Sequence, residues 1–158
     1  MGRRPSAAGA LTLVLLSCSP AEDAAPRIAV ANGWARESAP GQSSAAVYLT
    51  VINTGDGEDR LADVAAAPPA RAKLHSTAEE RGVVRMRPLT NGLRIAPRST
   101  RALRPGGTHV MLTGLNRRLS PGQTIGLTLD FARSGKRRVA IRVVPAGTEA
   151  YATHGMNK

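Results

Sequence analysis

Thiol chemistry is nearly absent from this chain. Of 158 residues one is cysteine, Cys18. One cysteine cannot close an intramolecular disulfide or build a thiolate-rich zinc site. Aromatic residues are almost as scarce: Trp34, Tyr48, Phe131 and Tyr151 are all there are. So few stacking platforms argue against a nucleic-acid binder, although the pI is near 11.4. Acidic residues number 11 against 22 Lys and Arg, a formal net charge of +11. No convincing carboxylate pair is present, and neither G-x-S-x-G nor H-E-x-x-H occurs, so no enzyme is expected. No apolar run is long enough to span a bilayer. Helical periodicity is missing too, and the 16 glycines and 11 prolines recur too often for long helices.

What is present begins with a leader. "MGRRPSAAGALTLVLLSC" places Arg3 and Arg4 before the short apolar run Leu11–Leu16 and then Ser17-Cys18, the layout of a secretory signal over residues 1–17. "LLSC" resembles a bacterial lipobox, in which the cysteine is lipidated and becomes the first mature residue. Lipidation consumes the only thiol, so the mature domain has no cysteine ligand or nucleophile. Acyl chains contribute about 0.8 kcal/mol per buried methylene and would hold the protein to a membrane. Residues 18–27 read as the lipidated Cys18 and a flexible tether, in which "SPAEDAAP" spans about 26 Å at full extension. Without the two leader arginines the net charge is +9, a surface that favours acidic partners or anionic head groups. The protein is expected to be exported and membrane-anchored, facing the periplasm or cell exterior, with no nucleic-acid partner.

The rest reads as one all-β domain over residues 28–145, followed by a loosely ordered tail, residues 146–158. "AAVYLTVIN" is rich in β-branched residues and ends in the turn "NTGDG". "TIGLTLDF" alternates, with Ile125, Leu127, Leu129 and Phe131 on one face, and "RSGK" turns the chain into "VAIRV", with Val139, Ile141 and Val143 together. "RIAVANGWAR", "RAKLHS", "VVRMRPL" and "THVMLTG" are further strands, punctuated by "APGQSS", "RPGG" and "SPGQ". Seven or eight short strands at this spacing predict a β-sandwich. Trp34 is expected to anchor its core.

In "THVMLTG" the period of two sets His109, Met111 and Thr113 against Val110 and Leu112. The apolar pair packs inward, which turns the His–Met pair outward. His75 in "AKLHST" and Met86 in "VVRMRP" are candidates to join it. Imidazole and thioether are neutral ligands, and thioether is soft. Without thiolate they favour Cu(I) over zinc or iron, and the missing cysteine excludes a blue-copper electron-transfer site. Ordinary packing stands beside this reading, because methionine commonly fills cores and a strand histidine commonly serves as a hydrogen-bonded residue.

Taken together, His75, ten residues, Met86, twenty-two residues, His109, one residue and Met111 resemble the signature of the PCu(A)C family of periplasmic copper chaperones. The flanking "GWARESAPGQSSAAVYLTVINTG", "LRPGGTHVMLTGL" and "PGQTIGLTLDF" are similar to the family's as well. The middle gap is one residue longer than usual, and Val84 stands where a further methionine is often found. The resemblance implies a cupredoxin-like β-sandwich holding one Cu(I) through nitrogen of His75 and His109 and sulfur of Met86 and Met111. It implies delivery of that copper to a cuproprotein, the dinuclear site of cytochrome c oxidase subunit II or an assembly factor, and transfer rather than catalysis. His154 and Met156 in the tail repeat the His-x-Met spacing and are candidates for an accessory copper site. A β-sandwich lipoprotein for adhesion or scaffolding is the alternative, and it predicts no copper affinity.

The lipobox reading is checked by labelling with radioactive palmitate. Wild-type chain is expected to take up label and partition with membranes, and Cys18→Ser is expected to do neither. Label in the Cys18→Ser chain would place the anchor elsewhere.

Overall fold

A computed structural model describes residues 24–148. Cys18, Tyr151, His154 and Met156 lie outside the described residues. Within them the chain forms ten strands and no helix: β1 (Ile28–Arg36), β2 (Ser44–Asn53), β3 (Asp59–Ala66), β4 (Arg71–Glu80), β5 (Val83–Pro88), β6 (Leu93–Ile95), β7 (Ser99–Leu103), β8 (Thr108–Thr113), β9 (Thr124–Phe131) and β10 (Gly135–Val144). The all-β architecture is as expected, with more strands than the seven or eight read from the sequence.

The strands run in the order β5-β4-β8-β2-β1-β10-β9-β3-β6, and β7 joins β2. The sheet curls over so that its two halves face each other. Val47, Leu49, Val51, Leu74, Val110 and Leu112 from one half meet Leu61, Val64, Leu127, Leu129, Phe131 and Ile141 from the other in a single buried cluster. Apart from β3, whose register shifts between Leu61 and Asp63, each strand contributes alternate positions, as the period of two demands. The β9–β10 hairpin pairs Leu127 with Val139 and Ile125 with Ile141, on the face predicted. Its three-residue turn, 132–134, leads into Gly135 at φ 70°, a backbone position that suits glycine. β2 is the spine: Ser44–Val47 pair with β8, while Leu49–Asn53 pair with β7. β1 lies along its other edge.

An irregularity in β1 decides where Trp34 lies. The register slips by one residue between Ala31 and Trp34, and Asn32 sits at φ 53°. This bulge reverses the phase of the strand. Before it, Val30 lies opposite core-facing Val51; after it, Trp34 lies opposite Tyr48. Trp34 is therefore 5% exposed yet outside the main core. It forms a second, smaller cluster with Tyr48 and Val144, on the outer face of the sheet. Trp34 anchors a core as expected, but this smaller one, because the bulge turns it away from the main cluster.

The end of the sandwich where the chain enters is closed by two buried polar side chains. Asn53 accepts from the backbone N–H of Arg27 and Gly55, each at 3.0 Å, and donates to the carbonyls of Gly57 and Ala96. Asp59 is 2% exposed and accepts from the N–H of Arg60, Arg133 and Ser134 at 2.7, 2.9 and 3.0 Å. Burial opposes its ionisation, but the Ser134 side chain and these N–H donors together outweigh that and hold its carboxyl below the ordinary value of 3.8. A folded pKa below the unfolded one stabilises the fold fully above about pH 4, and that stabilisation is lost as pH falls through the folded value. Asp59→Asn should lower apo stability by about 1–3 kcal/mol near neutral pH and flatten the acid limb of the stability curve. Denaturant melts across that range check it, and an unchanged acid limb would show that Asp59 is not the group responsible.

Candidate metal centre

Four side chains singled out in the sequence meet on one face. The β4–β8 pairing sets His75 directly opposite His109, Lys73 opposite Met111, Leu74 opposite Val110 and Ala72 opposite Leu112. Residues directly opposite in an antiparallel pair share a face. Val110, Leu112, Leu74 and Ala72 therefore point into the core, where all are buried. His75, His109 and Met111 point out the other side. On the edge strand, β5 sets Met86 opposite Thr77 and Pro88 opposite His75. Met86 thus joins the same face, one diagonal step from His75. Met111 is one diagonal step from His75 across β8. Diagonal neighbours are about 7–8 Å apart, within reach of long side chains.

The two imidazoles are differently held. Their ring centroids are 6.1 Å apart with planes 24° from parallel. One ion held between two imidazoles, with about 2.0 Å of metal–nitrogen bond and roughly 1.2 Å from nitrogen to ring centre on each side, sets the centroids at most about 6.4 Å apart. His109 is 4% exposed, and its Nδ1 lies 3.0 Å from the Gly107 carbonyl oxygen. A carbonyl only accepts, so Nδ1 carries the proton and Nε2 keeps its lone pair. His75 Nδ1 is buried without a hydrogen-bond partner, a state that costs about 1–3 kcal/mol unless a ligand meets it.

The arrangement has an aromatic backing that the sequence pattern did not reveal. Tyr48 lies 6.2 Å from the His109 ring, and Trp34 lies 4.5 Å from Tyr48, measured between centroids. The smaller hydrophobic cluster thus walls the inner side of His109. A signal was available: in "AAVYLTVIN" Tyr48 alternates against Val47 and Leu49. The other side is open. Every residue of β5 is exposed, and Met86 keeps 49% of its surface in solvent. The face runs from a buried imidazole to a bare thioether.

Among the described residues no three His, Cys, Asp or Glu side chains gather as a metal site. Met86 and Met111 are the soft donors that share the face with the two histidines. Clefts of about 560 Å³ along Ala65–Ala67, β9 and β10, about 350 Å³ beside Glu58–Arg60 and Arg133, and about 310 Å³ bounded by Pro68, Leu115 and Leu119 lie elsewhere. The His/Met face is a surface site, as a bare ion requires no deep cavity.

The LpqE-like family model matches residues 28–143. A curated relative, "Putative lipoprotein Lxx21020" of Leifsonia xyli subsp. xyli (strain CTCB07), is 33% identical over 116 residues, 73% of this chain and 69% of the relative. Among solved structures, the copper-bound PCuAC domain from PmoF2 is 26% identical with a TM-score of 0.62, covering 75% of this chain and 92% of that domain. The solution structure of Cu(I)-DR1885 from Deinococcus radiodurans is 28% identical with a TM-score of 0.58, over 81% and 85% of the two chains. The likeness to PCuAC domains and their cupredoxin-like β fold is thereby established at the level of the whole sandwich.

The face assignment has a direct test in the apo protein. Leu112→Ala should cost about 2–5 kcal/mol, as a buried leucine does, whereas Met111→Ala should cost about 1 kcal/mol or less. Chemical denaturation of both variants measures it. Equal losses would mean that Met111 packs in the core.

Proposed function

The chain belongs to the LpqE-like lipoprotein family, and from that premise we propose that it is a membrane-anchored copper chaperone outside the cytoplasm, carrying one Cu(I) on its His/Met face. His75 and His109 supply nitrogen; Met86 and Met111 supply sulfur. The observation that carries this reading is the direct pairing of His75 with His109, with a buried unpartnered nitrogen on the first and a tautomer fixed on the second. Copper in the PCuAC domain of PmoF2 and Cu(I) in DR1885 support it from outside the chain.

Copper is cargo here, and the donor set suits cargo. Neutral ligands match a monovalent soft ion and leave it with a single positive charge that an anionic thiolate on an acceptor attracts. His109, packed against Tyr48 and bonded to Gly107, is the fixed point. Met86, half exposed on an edge strand bonded only to β4, is the ligand an incoming donor reaches first. Replacement then proceeds one bond at a time, from the edge inward. The acceptor we assign is the dinuclear copper site of cytochrome c oxidase subunit II or an assembly factor serving it, with Cys18 as the lipid anchor that keeps the carrier at the membrane. His154 and Met156 are an accessory pair, which would show as a second, weaker equivalent.

The test is competitive Cu(I) titration of the chain from Ser19 onward under reducing conditions, with zinc as comparison. One tight Cu(I) equivalent is expected, with zinc far weaker. Alanine at His75, Met86, His109 or Met111 should each lower Cu(I) affinity by more than about tenfold, since even groups that merely orient ligands cost 10–100-fold. His154→Ala/Met156→Ala should leave the tight equivalent intact. Zinc binding as tightly as Cu(I), or four alanine variants with unchanged affinity, overturns the assignment.

A further inference from the structure

The chain enters the domain across an arginine-rich end. Residues 24–27, expected in the tether, lie against the turn after β2. Gly57 N–H donates to the Ala25 carbonyl and Thr54 N–H to the Arg27 carbonyl, at 3.3 and 3.0 Å, and the Arg133 guanidinium donates to the Ala24 carbonyl at 2.9 Å. A Cβ at Gly55 or Gly57 would overlap the backbone of residues 24–27, so "NTGDG" serves as a seat for the incoming chain as well as a turn. With residues 24–27 seated, residues 19–23 alone separate the body from Cys18. Their reach is about 20 Å, so a lipid at Cys18 would keep this end close to the bilayer.

That end carries more positive charge than the fold uses. Arg60 and Arg94 stand directly opposite each other, a like-charge pairing that by itself destabilises a sheet. Arg101 Nε donates to the Arg94 carbonyl, and Arg133 to the Glu58 carbonyl. Arg94 pairs with Glu58, and Arg98 with Asp56 at 2.6 Å. The hydrogen bond from Arg98 and its charge hold the Asp56 carboxyl below its ordinary range, and Arg27 adds to the effect. Six arginines, Arg27, Arg60, Arg94, Arg98, Arg101 and Arg133, thus surround Asp56, Glu58 and Asp59. Asp59 is already committed to backbone N–H groups. All six arginines are exposed.

We propose that this arginine-rich end is a docking surface for anionic phospholipid head groups, which seats the domain on the membrane by the end at which the chain enters. Guanidinium matches phosphate geometry in two-bond pairs. A basic patch beside a lipid anchor is the second of two signals that together fix a protein to a bilayer. None of the six arginines lies on β4, β5 or β8, so seating leaves the His/Met face uncovered. The orientation rests on the lipid anchor at Cys18; the head-group contact does not, and it is measured without the anchor.

The chain from Ser19 onward keeps every described element and serves as the probe. It is sedimented with vesicles of mixed phosphatidylglycerol and phosphatidylcholine, and with phosphatidylcholine alone, at low and high salt. Binding to the mixed vesicles is expected, with loss at high salt and little binding to phosphatidylcholine. Arg94→Glu/Arg98→Glu should weaken it by about tenfold or more. Arg117→Glu/Arg118→Glu makes the same charge change beyond β8, where Leu115 N–H bonds to Ser43 at the far end of β2 from Asn53, and should weaken it less than about threefold. Arg60→Gln/Arg94→Gln relieves the opposed charges without adding acid, so it separates lost contact from lost folding, with apo melting as control. Equal weakening by both reversals, or no binding to mixed vesicles by wild type, overturns the proposal. Cu(I) titration of the same variants should be unchanged, so failure here and failure of the copper reading are separate results.

Discussion

The β4–β8 register is the constraint on which the rest depends. It sets Leu74 opposite Val110 and Ala72 opposite Leu112 on the inner face, and His75 opposite His109 on the outer face. A slip of one residue would turn every side chain of one strand over. Val110 and Leu112 would face water, and the imidazole pair would be split between core and surface. Burial of Val110 and Leu112, at 0% and 1% exposure, therefore enforces the spacing of the two histidines. The His/Met face has no separate scaffold; the core specifies it.

The same economy explains which parts could be read from the sequence. Strands that keep a clean period of two gave correct faces, because alternation is the physical signal: β8, β9 and the later part of β10 are the cases. His75, Met86, His109 and Met111 were legible through spacing and family resemblance, and the register brings them to one face. β3 was not legible. Its pairing with β9 shifts between Leu61 and Asp63, so its buried positions, Asp59, Leu61 and Val64, break the period. β6 is three residues long, and β7 buries only Leu103. Neither carries a pattern long enough to recognise. Which cluster Trp34 joins was hidden for a related reason. One extra residue at Asn32 reverses the strand's phase, and nothing in local hydrophobicity announces it. The seat of residues 24–27 was invisible because it is made of backbone contacts, and glycine in "NTGDG" reads equally well as a plain turn.

The outer face also grades from rigid to loose. Trp34 and Tyr48 pack together behind His109, and β8 is paired on both sides, by β2 and β4. β4 is shared between β8 and β5, and β5 has β4 alone. Exposure rises with each step from β2 through β8 and β4 to β5. On the proposed reading that gradient suits a carrier: ligands all as buried as His109 would resist exchange, and ligands all as exposed as Met86 would hold little between encounters.

An edge strand so exposed is ordinarily a hazard, since unpaired backbone N–H and C=O groups invite pairing with other chains. β5 carries Val83 and Val84 in solvent at 53% and 68%, which sharpens the hazard. Charge offsets it. Arg85 and Arg87 occupy the alternate positions of the same strand, both reaching Glu80 across the hairpin at 3.7 and 3.0 Å. Two arginines share one carboxylate, so the edge keeps a net positive charge and repels a second copy of itself. The protection acts through charge alone and leaves the strand physically open. An edge that had to deliver a ligand-bound ion could not be covered by a loop or helix, as most sheet edges are, because the cover would also bury Met86. Positive charge is the remaining device that blocks self-pairing while keeping the thioether accessible.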